Sequence, residues 1–228
     1  MRHAYIHRDI HRVTQNTMSP SQLISLLFPS GFIIYFFAFL IPPSSDAFVL
    51  EGSDSSYAKF RKWKAGLNST LLLEFHTGQP DGLLLYMDDG GRDDFFELKL
   101  VEGALRLRYN LGDGTQMMTV GRHLNDGLWH RAEIRRSGSE TSLTVDGFVT
   151  QFRVSKGRDL TFGTPSTNSP VYVGGIPSWY NNRLATLSLP SVAFEPRFRG
   201  AIRNLVYASD DSEVPKPQDI IEYKVKSM

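Results

Sequence analysis

Residues 95–111 read FFELKLVEGALRLRYNL, a run in which apolar and polar letters alternate on both sides of Glu102-Gly103. Period two marks a half-buried β-strand, and the central Glu-Gly pair suits a two-residue hairpin turn. With that turn, Phe96 faces Tyr109, Leu98 faces Leu107 and Leu100 faces Leu105, so each of these apolar residues meets an apolar partner. On the opposite face Glu97 meets Arg108, a favourable cross-strand pair, whereas Lys99 meets Arg106. One rung further out, the Asp94 carboxylate lies beside the Leu111 backbone at the sheet rim. Rims are where loops begin and where binding modules usually carry their chemistry.

The same pattern continues along the chain. Alternating or short apolar runs at 71–75, 82–87, 129–136, 141–145, 148–154, 171–174 and 200–207 read as strands, with turn residues between them and almost no helical period. Asp146-Gly147 predicts a type I′ hairpin that pairs Val145 with Phe148 and Thr141 with Phe152. Many short strands without helices predict an all-β fold, an antiparallel β-sandwich. The tail 211–228 turns polar, carries two prolines and reads as an exit or linker segment.

Composition fits one ordinary domain: 228 residues, 41% hydrophobic and 12% aromatic, with a net charge of +1. Charge this close to neutral, with signs interspersed, leaves no footprint for nucleic acid. The runs at 59–64 (KFRKWK) and 131–136 are solvated strand faces or, alternatively, basic patches for an anionic glycan. With no cysteine, disulfides, thiolate chemistry and cysteine-based zinc sites are excluded. A sandwich of about 180 residues buries enough surface to stand without them.

Residues 1–47 are read as a secretory signal. Arg2, Arg8 and Arg12 precede an apolar stretch at 23–41, followed by Pro42-Pro43 and by Ser45 and Ala47 at the minus-three and minus-one positions of a cleavage site. The alternative is an uncleaved signal anchor, since the stretch approaches spanning length, although Pro29, Ser30 and Gly31 interrupt it. Asn68-Ser69-Thr70 is a glycosylation sequon that the secretory route would make usable.

Four motifs in order resemble laminin G domains, also called LNS domains. They are Gly82 to Tyr86 (GLLLY), Asp126 to His130 (DGLWH), Val171 to Gly175 (VYVGG) and Phe198 to Ile202 (FRGAI), within a domain spanning 48–210. The opening Tyr57 to Trp63 (YAKFRKW) and Asp88-Asp89-Gly90-Gly91 look most like the first LNS domain of an α-neurexin. The resemblance implies a laminin G-like, concanavalin-like jelly roll in which Asp126 and Gly127 turn the chain and Trp129 anchors its strand in the core. It also implies a weak Ca²⁺ site at the rim. Asp94 and the Leu111 carbonyl match its first two ligands, the Phe162 carbonyl a third, and the family's asparagine position falls near Thr164, with Asn168 a few residues on.

Catalysis finds no support. Asp94 and Glu97 are an odd number of residues apart, so on a strand they point to opposite faces and cannot flank one glycosidic bond. No G-x-S-x-G or H-E-x-x-H motif occurs, and His76, His123 and His130 have no evident triad partner. The resemblance implies a non-catalytic module, secreted or on the cell surface, that binds an extracellular protein through rim loops in cell adhesion and synapse organisation. A lectin-like module taking sulfated glycans is the alternative. A membrane link would come only through an uncleaved leader or a longer isoform.

On this reading, protein recovered from the medium of secreting cells begins at or near Phe48 and loses mass on treatment with peptide N-glycosidase. Amino-terminal sequencing and the mobility of an Asn68→Gln variant check both points. An intact leader on membrane-bound protein would establish the anchor instead.

Overall fold

The computed structural model describes residues 47–156, 160–210 and 212–224. The leader expected over 1–47 therefore lies, apart from Ala47, outside the described residues. Among the described residues, fourteen strands run in chain order as β1 (Phe48–Glu51), β2 (Tyr57–Phe60), β3 (Thr70–His76), β4 (Gly82–Asp88), β5 (Phe95–Val101), β6 (Ala104–Asn110) and β7 (Gln116–Val120). Then follow β8 (Trp129–Ser137), β9 (Glu140–Val145), β10 (Val149–Val154), β11 (Val171–Val173), β12 (Arg199–Ala208), β13 (Lys216–Pro217) and β14 (Glu222–Lys224). One sheet has the order β1-β12-β3-β8-β9-β10, with β13 paired to β12; the other has the order β14-β2-β11-β4-β5-β6-β7. All the strand pairings are antiparallel. The fold is the expected antiparallel β-sandwich.

The hairpin register holds at every rung. Phe96 pairs with Tyr109, Glu97 with Arg108, Leu98 with Leu107, Lys99 with Arg106 and Leu100 with Leu105. Glu102 and Gly103 both take positive φ, 53° and 74°, as a type I′ turn requires. Phe96, Leu98, Leu100, Leu105, Leu107 and Tyr109 enter the core between the sheets, together with Trp63, Phe75 and Ile134.

The other face of this sheet is not solvated. Residues 176–198 form a strap of three short 3₁₀ turns, Ser178–Asn182, Leu184–Thr186 and Pro190–Phe194. Its Ile176, Tyr180, Leu187 and Val192 pack on Tyr57, Leu83, Tyr86, Phe95 and Tyr172 in a second apolar cluster. Glu97 is thereby fully buried, and Arg108 grips it through two bonds of 2.5 and 2.7 Å. Lys99, which sequence pairing left opposite an arginine, turns instead to Glu97 at 3.3 Å and to Glu195 of the strap.

Three expectations are corrected. First, Trp129 is not in the core. It occupies the outward parity of β8 with its ring between His76, at 5.5 Å, and the Arg203 guanidinium, at 4.1 Å. The inward residue of that motif is His130, and the buried tryptophan is Trp63, at 0% exposure beside Phe96 and Tyr207. Secondly, β9 and β10 pair one residue out of the expected register, Val145 with Val149 and Thr141 with Arg153. Asp146 and Gly147 do take positive φ, but Phe148 drops out of the ladder as an extra loop residue, 91% exposed. A one-residue slip exchanges faces, so Phe152 points outward. Thirdly, within the tail 211–228, expected as an exit segment, the described residues 212–224 pack back on the domain. β13 joins β12, β14 joins β2, and Tyr223 donates a hydrogen bond to the Val49 carbonyl of β1.

Asp126 and Gly127 do turn the chain. Gly127 has φ 75°, and Asp126 Oδ1 accepts from the Leu128 amide at 2.8 Å. The same carboxylate lies 3.0 Å from His130 Nε2, while Asp146 lies 2.9 Å from Nδ1 and also accepts the Arg131 amide. A neutral imidazole donates through only one nitrogen, so this double contact calls for the imidazolium.

Two outcomes follow for chemical denaturation and titration. Trp63→Ala should cost about 3–5 kcal/mol of stability, and Trp129→Ala less, because its ring lies partly buried on the outward face of β8 against Arg203. Burial pushes the His130 pKa down, but the Asp146 and Asp126 carboxylates outweigh it and hold it above the ordinary 6.5. A pKa raised on folding gives stability fully present below 6.5 and lost as pH rises through the folded value. An NMR titration of His130 should show its midpoint above 6.5, falling in Asp126→Asn and in Asp146→Asn.

Candidate functional site

The rim beyond β5 is built by three segments: the loop joining β4 to β5, the residues following β6, and the loop 160–170 that leads into β11. In the first, Asp88 and Asp89 bend the chain. Asp88 accepts from the Gly90 amide (3.1 Å), the Tyr86 hydroxyl (2.8 Å) and the Ser188 amide (3.3 Å). Asp89 accepts from the Arg92 and Asp93 amides and from the Ser188 hydroxyl. Gly90 and Gly91 have φ of 85° and 89°, and a Cβ on either would strike the carbonyl of Thr167 or Thr186 at 2.7 Å. Both aspartates thus serve the turn, as Asx residues beside glycines do.

Burial raises the Asp88 pKa. It pushes Asp89 the same way, but there the Ser188 hydroxyl and the backbone amides prevail and the pKa falls.

The turn delivers Asp94 to the head of β5. Because Phe95 pairs with Asn110, Asp94 stands across the ladder from Leu111, as the sequence register required. Asp94 is buried and its Oδ2 accepts from the Gly163 amide at 2.9 Å. Burial raises its pKa, aided by Asp89 and Asp93 and opposed by the Gly163 amide and Arg136.

In the loop 160–170, Thr164 and Asn168 are placed differently. Thr164 is exposed, its carbonyl accepts from the amides of Thr167 and Asn168, and its hydroxyl pairs with that of Thr167. The turn absorbs the extra residues and swings Asn168 back inward, 6% exposed, with Nδ2 donating to the Phe162 carbonyl at 3.3 Å. Asn168 Oδ1 is buried without a hydrogen-bond partner. It lies so close to Gly163 that a Cβ there would meet it at 2.2 Å, and Asp89 Cβ at 2.6 Å. Gly163, whose amide holds Asp94, is thus the crossing point of Asp89, Asp94 and Asn168, a role its letter alone did not disclose.

No cluster of three or more His, Cys, Asp or Glu side chains that could hold a metal occurs among the described residues. A site here would depend on one carboxylate, an amide oxygen and backbone carbonyls. Such an all-oxygen donor set suits a hard cation such as calcium and lacks the nitrogen and sulfur ligands zinc favours.

The basic runs fare differently. Arg136 is buried, with its guanidinium on the carbonyls of Ala65 and Leu160, and Lys59 pairs with Glu222 at 3.5 Å. Arg61, Lys62 and Lys64 of the first run and Arg131 and Arg135 of the second stay exposed. Asn68 is exposed ahead of β3. No helix among the described residues is long and apolar enough to cross a membrane.

Comparison with known proteins agrees with this geometry. The sequence profile of the laminin G domain matches residues 75–210. Over 176 residues, 77% of the chain, the sequence is 61% identical to Neurexin 1 of Drosophila melanogaster, and over 164 residues, 71% of the chain, it is 35% identical to Neurexin-2 of Homo sapiens. The chain spans only 10% and 9% of the lengths of these relatives. Among solved structures, domains LG4-5 of the mouse laminin alpha1 chain superimpose with a TM-score of 0.65 at 20% identity, covering 78% of this chain and 45% of that one.

Proposed function

The chain belongs to the laminin G domain family, and from that premise we propose that it is an extracellular, non-catalytic recognition module. It presents its rim loops to a protein partner in cell adhesion and synapse organisation, and a weak calcium site steadies those loops. The observation that supports this most is Asn168. A buried amide oxygen without a partner is costly, and one packed against Gly163, whose amide holds Asp94, is suited to a cation.

Calcium, when bound, supplies a divalent charge that draws oxygen ligands from separate segments together. Asp94 provides the one carboxylate, Asn168 and Phe162 provide oxygens from the 160–170 loop, and Leu111 offers its carbonyl from across the ladder. The Gly163 amide on Asp94 and the Asn168 amide on the Phe162 carbonyl support this reading by tying the 160–170 loop down at the head of β5. The ion therefore tunes a formed rim and does not build it. The glycan alternative through basic residues has less behind it, since Arg136 is buried and Lys59 is paired.

Calorimetric titration should give a calcium Kd of about 10⁻⁴ to 10⁻³ M, as in other extracellular modules. Asp94→Asn should abolish the heat with little effect on melting, and Asn168→Ala should weaken it. Because burial raises the Asp94 pKa, protons compete and affinity should fall as pH is lowered through that value. No heat at millimolar calcium, or equal binding by Asp94→Asn, would remove calcium from this reading. Capture of neuronal surface proteins with and without chelator tests the recognition role itself.

A further inference from the structure

Next to the calcium rim, the strap and the 160–170 loop enclose an open cleft of about 380 Å³ whose walls include Lys62, Thr167, Ser169, Trp179, Arg183 and Thr186. Trp179 is 48% exposed, yet its ring is held flat by stacking on Tyr180 at 3.8 Å. The Arg183 guanidinium stands 5.8 Å from the same ring, and Trp179, Asn182 and Arg183 continue the surface into a second cleft of about 370 Å³.

Two cations meet this cleft without a carboxylate to balance them among the described residues. Lys62 donates only to the Pro165 and Ser166 carbonyls, and Arg183 rests by Trp179. The one carboxylate in the walls, Asp88, is 1% exposed and engaged by the Tyr86 hydroxyl and two amides.

The hydroxyls of the walls are engaged within the protein: Thr167 with Thr164, Ser169 with the Asp88 amide and the Pro170 carbonyl, Thr186 with the Arg183 carbonyl. A saccharide needs many directional hydrogen bonds, and few groups are free to supply them. What remains available is one aromatic face and two positive charges. Tryptophan and arginine in that setting are the residue types that dominate protein interfaces.

We propose that this cleft receives an acidic segment of the partner protein, with a carboxylate side chain between Lys62 and Arg183 and a neighbouring apolar side chain on the exposed face of Trp179. The proposal rests on the reading of the chain as a protein-binding module and names the partner's chemistry at that module's rim.

Fluorescence anisotropy on the full chain tests it, with a fluorescein-labelled peptide of glutamates flanking a central phenylalanine. The same peptide with lysine for glutamate, and a heparin-derived oligosaccharide, serve as comparisons. The glutamate peptide should bind saturably, more weakly as salt rises, and the lysine peptide should not bind. Arg183→Glu should weaken binding about tenfold, Lys62→Glu should add to that loss, and Trp179→Ala should weaken binding as well. The two charge reversals lie at the surface, so their melting temperatures should match wild type and keep the result independent of folding.

The cleft is overturned if wild type shows no saturable binding, if Arg183→Glu binds equally well, or if these residues serve the oligosaccharide and not the peptide. A wild-type chain that captures neuronal surface protein but ignores the peptide overturns the cleft alone and leaves the recognition role standing.

Discussion

A carboxylate that is fully buried must be paired, and Glu97 is buried in the middle of a sheet that has apolar packing on both faces. Its partners set much of what surrounds it. Arg108 reaches it from the next strand, fixing one face of the hairpin, and Lys99 links it to Glu195, fixing the end of the strap. The strap, once seated, places Ser188 against Asp88 and Asp89. Those two aspartates shape the turn that delivers Asp94, so the rim depends on a charge pair lying within the sheet below it.

This dependence explains which features were legible in the letters. The β5–β6 register was, because both faces voted for it: apolar partners on one, Glu97 with Arg108 on the other. The turn at Asp146-Gly147 was legible and its register was not, because Asp146 answers to His130 and Arg131 of another strand and Phe148 leaves the ladder. Trp129 was misplaced because size suggested an anchor, whereas parity along β8 gives the inward position to His130. The strap carries no period of two or 3.6, so nothing in its sequence announced that it covers a sheet.

At the rim, Asp94 and Leu111 followed from register alone. Asn168 did not, since its return depends on a turn in which the amides of Thr167 and Asn168 both donate to the Thr164 carbonyl. Spacing measured along the chain placed it too far away; spacing in the fold brings it to Phe162. The proposed rim site and the cleft share that loop: Asn168 packs against Gly163 and, with Thr167 and Ser169, also walls the cleft. On the proposed reading, a cation that ordered this loop would act on the cleft as well.

The pairing of β1 with β12 and of β14 with β2 carries a consequence for how the molecule forms. Each sheet is closed by strands far apart in the chain, Phe48 against Ile202 in one and Tyr57 against Lys224 in the other. Neither can be completed on the ribosome until nearly the whole domain has emerged, and closing such long loops precedes the contacts that repay it. The sandwich therefore belongs among slow folders, with the β2 edge open for most of the process. No disulfide can trap a half-built sheet in this cysteine-free chain. Its folding yield depends on how long that edge stays unpaired and not on oxidation.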